Sequence, residues 1–350
     1  MRRSASTRWA GLGLAALLAG CASTGAPGAE DPAGPRLYAP NQDDATVSVI
    51  DVGTLEVVET VDLTTMGFGP NAKPHHVVVE RDGSHWYLSL IGENTILKLD
   101  RSNRIVDRAE YEVPGMMALH PTEEVLYVGR SMSAVNPPRR IGRVDRGSME
   151  VEELSVFFPR PHALAVGPEG EPVYTASLAE NAMAAVWPED EDLEVLDLPG
   201  ADGATYSLVQ FAVSPDGSTL VGTAELTGEL LVFDLTDPAS PDLVATLEVG
   251  SRPWHPVFTP DGSRIFFGLK GDDAVAVVDT RSWELMATVS GDFDRPHGAA
   301  VSPDGSVVFV SSNGSAGEPG SVVAIDAASL EVLRVIPLGR NVAGLGTPGS

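Results

Sequence analysis

One phrase recurs along this chain: a cation, Pro, His, a short apolar run, an Asp-Gly turn and a strand closed by Asp. Lys73-Pro74-His75, Arg160-Pro161-His162, Arg252-Pro253-Trp254 and Arg295-Pro296-His297 open four copies, and Pro114, Leu208 and Asn341 stand at the proline's place in three more. The openings at 74, 114, 161, 208, 253, 296 and 341 are 40, 47, 47, 45, 43 and 45 residues apart. A period of this size restricts the chain to a solenoid or a propeller, because each copy is one supersecondary unit that buries its apolar faces only against its neighbours.

The interior of a copy chooses between the two. Gly83 to Asp100, Gly217 to Asp234 and Gly262 to Asp279 are each 17 residues apart, which is room for two strands after the turn. The first run, Val77-Val78-Val79 or Ala299-Ala300-Val301, is apolar on consecutive positions, as a strand buried on both faces requires. Asp-Gly hairpin turns follow at 82–83, 216–217, 261–262 and 304–305. Next come an aromatic, β-branched strand such as Arg264-Ile265-Phe266-Phe267, an alternating strand such as Val275 to Asp279, and a polar outer strand such as Leu55 to Val61. Four antiparallel strands per copy predict one propeller blade, and the chain is expected to be all-β.

The two chain ends predict closure. Arg36-Leu37-Tyr38-Ala39 matches a second strand with no first strand before it, and Arg340 to Leu345, with Thr347-Pro348 after it, fits a first strand with nothing to follow. In this alignment Arg340 falls where Arg295 does. The C-terminal strand is therefore expected to complete the N-terminal blade, which makes seven blades and pairs two open edges. Phrases such as Arg295-Pro296-His297-Gly298-Ala299-Ala300-Val301-Ser302-Pro303-Asp304-Gly305 resemble the repeat of YVTN-type (YncE-like) seven-bladed propellers. The wider group includes the d1 domain of cytochrome cd1 nitrite reductase, nitrous oxide reductase and bacterial lactonases. The resemblance covers residues 37–348 and implies the fold; it assigns no chemistry.

The N-terminus predicts a compartment. Arg2, Arg3 and Arg8 precede an apolar stretch from Trp9 to Leu18 that is too short to span a bilayer and has the charge order of a secretory signal. Leu18-Ala19-Gly20-Cys21 then resembles a bacterial lipobox, so residues 1–20 are read as a lipoprotein signal peptide, 21–36 as lipidated Cys21 with a flexible tether, and 37–350 as the propeller. Cys21 is the one cysteine, so disulfides do not support the fold. Ala22 after it favours the outer membrane, with the lipid anchor as the only membrane contact of a periplasmic monomer. Net charge is −26 for the full chain, and cleavage before Cys21 removes three arginines and no acid, leaving −29. A surface this acidic repels phosphate backbones, which excludes nucleic acid as a partner.

The repeat also predicts a site. Loops joining blade to blade and second to third strands emerge together on one face of a propeller, and that face would receive Lys73, Arg160, Arg252, Arg295 and Arg340 as a positive ring. Guanidinium forks suit a carboxylate or phosphate, although each arginine equally suits a brace to the neighbouring blade. His75, His162 and His297 share one repeat position, with Trp254 in that place in the fifth copy and His76 and His255 one residue on. Because strand neighbours point to opposite faces, His76 and His255 are not expected to aim where the other three aim. The expected ligand-binding set is Lys73, His75, Arg160, His162, Arg252, Trp254, His255, Arg295, His297 and Arg340, with an anionic small molecule or an envelope protein as partner. No cofactor is expected. The alternative is a metal-dependent redox or hydrolytic, lactonase-like enzyme using the mouth histidines, with inner-strand ligation as in the redox relatives; covalent haem is excluded by the lack of a Cys-x-x-Cys-His motif. Gly344-Leu345-Gly346-Thr347-Pro348-Gly349 matches GxGxxG but has no helix after it and carries no dinucleotide reading.

Overall fold

The computed structural model describes residues 34–200 and 203–349. The expected signal peptide, Cys21 and the expected tether up to residue 33 lie outside the described residues. Within them the chain is a seven-bladed β-propeller of antiparallel sheets. Six blades take all four strands from consecutive sequence, over 74–110, 114–155, 161–197, 208–248, 257–290 and 296–340. The remaining blade, the first in chain order, is built from Arg36–Asn41, Thr46–Asp51 and Glu56–Asp62 and is completed by the C-terminal segment. Among the described residues there is no α-helix, only 3-10 turns at Leu63–Met66 and Ile91–Glu93.

Closure follows from main-chain hydrogen bonding. Tyr38 N–H donates to Gly346 O at 2.9 Å, Gly346 N–H returns to Tyr38 O at 3.2 Å, and Ala343 N–H donates to Pro40 O at 2.9 Å. Side chains of the preceding blade hold the same segment: Ser311 Oγ donates to Ala343 O at 2.7 Å and Asn313 Nδ2 to Val342 O at 2.8 Å. Gly344 N–H donates to His75 O at 2.8 Å, and a Cβ there would come within 2.5 Å of His76, so the strand passes this close to the second blade only with glycine. The hydrophobic core is a ring of blade-to-blade clusters. Leu37, Ala39, Phe309, Val322, Val342 and Leu345 join the last blade to the first, and Tyr38, Val47, Val77, Trp86 and Leu97 join the first to the second.

The chain enters every blade the same way. Lys73, Val113, Arg160, Ser207, Arg252, Arg295 and Asn341 all have φ between 47° and 56°, a left-handed conformation that L-residues adopt at a cost. The carbonyl of each accepts a hydrogen bond from the residue just after the second strand: Ile91 N–H to Lys73 O at 3.1 Å, Lys270 N–H to Arg252 O at 2.9 Å and Gln42 N–H to Asn341 O at 3.1 Å are three of these. Asn341, not Arg340, is thus the equivalent of Arg295, which corrects the alignment of the closing segment by one residue. Arg340 ends the strand before it.

Two further departures from the sequence reading shape the centre. The inner strand carries a register shift just after its start in five blades, between Pro74 and Val77, Pro114 and Met117, Pro161 and Ala163, Leu208 and Phe211, and Pro296 and Ala299. A bulge of this kind suspends strict alternation and re-aims the side chains beside it. In the sixth blade the inner strand shrinks to Val257–Phe258 plus a bridge from Pro253 to Leu269, because Pro256 has no N–H to donate to the ladder. The inner strands are also not buried on both faces throughout: Leu119, Val166, Val213, Val257 and Ala299 are half-exposed on the wall of a central channel.

Candidate functional site

Five histidines gather where the inner strands begin. His75, His76, His162, His255 and His297 are 1–9% exposed, and the rings of His75, His76, His255 and His297 meet in pairs. Ring centroids are 4.7 Å apart for His255 and His297, 5.7 Å for His75 and His297, and 6.2 Å for His76 and His255. His76 and His255 line the channel while His75, His162 and His297 do not, yet the rings of His255 and His297 meet across that division. Trp254, freed by the interrupted sixth inner strand, packs on His297 at 5.4 Å, and Lys270 Nζ lies 4.1 Å over the indole.

Hydrogen bonding sets the tautomers. His162 Nδ1 lies 2.7 Å from Val209 O, and a carbonyl only accepts, so Nδ1 carries the proton and Nε2 presents a bare lone pair. His76 Nδ1 accepts from Met117 N–H at 3.3 Å, so its Nε2 carries the proton. His75 Nδ1 meets Gln42 Oε1 at 3.0 Å. The bonds of His76 and His162 tie an inner strand to that of the next blade, and the bond of His75 reaches the loop of the blade before it, which is a structural use of the repeated histidine. They leave four buried polar atoms without a partner: His75 Nε2, His162 Nε2, His297 Nδ1 and Trp254 Nε1. Unpaired buried polar atoms are costly, and a cluster of them points to something that binds there.

Burial keeps the histidines neutral. It pushes His75 down to about 3, with the neighbouring His162, His76 and Lys270 adding to the effect, and His76 likewise to about 3. His162 is held at about 4 by burial, against the pull of its bond to Val209, and His255 and His297 lie well below the ordinary histidine range for the same first reason. Lys270 is lowered to about 8 by burial and then by Arg252 and Arg295. These three cations lie near one another, with the carboxylate of Glu225 on Arg252, that of Asp273 on the Arg295 N–H and that of Asp272 on the Ser251 N–H.

The predicted arginines are all engaged. Arg252 Nη2 pairs with Glu225 at 2.5 Å, Arg160 Nη2 donates to Met132 O at 2.7 Å, Arg295 Nε to Gly314 O at 3.0 Å, and Arg340 Nε to Asp44 Oδ1 at 2.6 Å. Lys73 is exposed. The structure therefore brings together His75, Trp254, His255 and His297, and places Arg252 and Arg295 close enough to act on Lys270 by charge. Arg160 is fixed to the neighbouring blade's loop and Arg340 to a loop of the blade that its following strand completes. Lys270 was missed in the sequence. Its signal was scarcity, as one of only three lysines, immediately after a second strand. Among the described residues no three His, Cys, Asp or Glu side chains are arranged to hold a metal ion.

Comparison with known proteins extends the fold and nothing beyond it. No protein-family model matches the sequence, and no curated protein does. Solved structures match over nearly the whole propeller. A Desulfotomaculum acetoxidans protein of unknown function has 13% identity and a TM-score of 0.71, covering 88% of this chain and 98% of its own. A candidate 6-phosphogluconolactonase of Bacteroides uniformis has 12% identity and a TM-score of 0.67, covering 90% and 99%. The dihydro-heme d1 dehydrogenase NirN has 13% identity and a TM-score of 0.63, covering 90% and 75%. The chain shares the propeller fold of the d1-type and lactonase-like group. At these identities the likeness carries the fold alone.

Proposed function

We propose that this protein is a lipid-anchored propeller of the YVTN type in the bacterial envelope that binds an anionic small molecule at the histidine end of its channel. The observation that carries the reading is the set of unpartnered atoms of Trp254, His75, His162 and His297 at the starts of the inner strands, with the Lys270 and Arg252 charges over the Trp254 ring. Trp254 Nε1–H and Lys270 donate to an anion; the bare His162 Nε2 accepts from a hydroxyl. A carboxylate that also carries a hydroxyl satisfies both, and citrate is a suitable probe. Histidines held near 3 to 4 are poor general bases at neutral pH, since an efficient base has a pKa near the working pH. This favours binding over hydrolysis.

Calorimetric titration with citrate should give saturable binding to the wild type, weakened roughly tenfold or more in Lys270→Gln by loss of a charge-assisted contact. Melting temperature should not fall, because the charged form of Lys270 is already disfavoured in the fold by burial and by Arg252 and Arg295. Absence of binding, or equal affinity in the variant, would overturn the assignment. The anchor is tested separately: Cys21→Ser should move the protein from the membrane to the soluble fraction, and unchanged partitioning would remove the lipoprotein reading.

A further inference from the structure

The channel below the histidines is unlike the site above them. It encloses about 670 Å³, within the range of small-molecule pockets, and its wall is made by the inner strands. Met117, Leu164, Phe211, Val257, Val301 and Leu345 represent its lining. The polar groups on that wall are mostly occupied already: Gln210 accepts from Leu164 N–H and donates to Leu164 O, both at 3.0 Å, and His76 Nδ1 is used by Met117. Half-exposed apolar side chains are thus concentrated in one concave space. That space has no means of closing, because a complete ring of paired strands surrounds it and Pro215, Pro260, Pro303 and Pro348 stiffen its far rim.

Apolar surface held open in this way favours an apolar guest over water. Charge says which kind. The histidines being neutral, Arg81 is the only charged side chain among the described residues of the lining, and it stands at the rim beside the Asp82-Gly83 turn, at the opposite end from His76. The six residues of Pro74–Val79 separate the two ends by about 20 Å at strand rise. We propose that the channel is a second binding site, for a long-chain monocarboxylate whose hydrocarbon fills the channel and whose carboxylate rests on Arg81. It is distinct from the citrate site: it uses the other end of the channel and none of Lys270, Arg252, Arg295 or Trp254.

Displacement of the fluorescent fatty acid cis-parinaric acid by decanoate, dodecanoate and tetradecanoate, each below its micelle concentration, tests this. Affinity should rise about fourfold per added methylene, the factor expected for one CH₂ leaving water. Arg81→Gln should weaken dodecanoate at least tenfold, and methyl dodecanoate should bind wild type as weakly. Ala299→Trp, which fills the channel, should lose binding at least thirtyfold; Val213→Trp does the same from another blade if Ala299→Trp fails to fold. No saturable probe binding, affinity independent of chain length, or full affinity in a folded channel-filled variant would overturn the site. Methyl ester binding equal to that of the acid would overturn the carboxylate assignment. Citrate titration of Ala299→Trp should match wild type, so either site can fail without the other.

Discussion

Acidification from pH 7 to pH 5 should unfold this propeller, well before its carboxylates protonate. The five clustered histidines have folded-state pKa values held far below the ordinary 6.5, to about 3 for His75 and His76 and about 4 for His162. The unfolded chain therefore binds protons that the folded chain refuses, and stability is complete above pH 6.5 and lost as pH falls from there toward the folded values. Each such group costs about 1.4 kcal/mol per pH unit within that window. Several acting together take a large part of a total stability of about 5–15 kcal/mol. The paired aspartates act lower on the scale. Asp261, held at about 2 by bonds from Thr259 and Ser263, contributes stability present above the unfolded value and lost only as pH falls through the folded one. Urea unfolding at pH 7, 6 and 5 should show a steep decline that His297→Asn makes shallower. A flat profile from pH 7 to 5 would contradict the neutral, buried cluster.

Deletion of residues 341–350 should abolish the folded state. It removes Val342, Ala343 and Leu345, all under 5% exposed, at about 1.5–3 kcal/mol for each large aliphatic side chain. It also leaves Tyr38, Pro40, Ser311 and Asn313 without the partners they have in the closing strand, at roughly 1–3 kcal/mol for each buried group left unpaired. The sum is on the order of the whole stability of a domain. Circular dichroism and size-exclusion chromatography should report an unfolded or aggregated chain. A circular permutant that begins at Asn341 and joins residue 349 to residue 36 through a short turn keeps the strand and should recover cooperative melting. A truncated chain that melts at the wild-type temperature would show that the C-terminal strand does not lock the ring.

The blade architecture was legible because it is written in local, repeated chemistry. Asp-Gly turns at Gly83, Gly217, Gly262 and Gly305 take the positive φ that glycine tolerates, and each aromatic second strand lies where the spacing from those turns puts it. Closure was legible in the unmatched halves at the two ends. The site was legible only in part. The repeat places the histidines at one level, but alternation alone does not reveal that His255 meets His297. The arginine partners were hidden for a different reason: Glu225, Met132 and Gly314 sit one or two residues past a second strand, where the residue type changes from blade to blade, so nothing in the period announces them. Pro256 was visible, and its lack of an N–H explains the short sixth inner strand and the inward turn of Trp254.

The most direct measurement of the central claim is the affinity for citrate between pH 7 and 9.5, a range in which citrate itself is fully ionised. Lys270, held at about 8 by burial and by Arg252 and Arg295, loses its charge in the free protein inside this range, and a bound anion holds the proton on. Affinity should therefore be constant below pH 8 and fall at least fivefold by pH 9.5, with the decline absent in Lys270→Arg, whose charge persists. An affinity that stays constant across the range in the wild type would show that Lys270 does not face the ligand and would contradict the anion site.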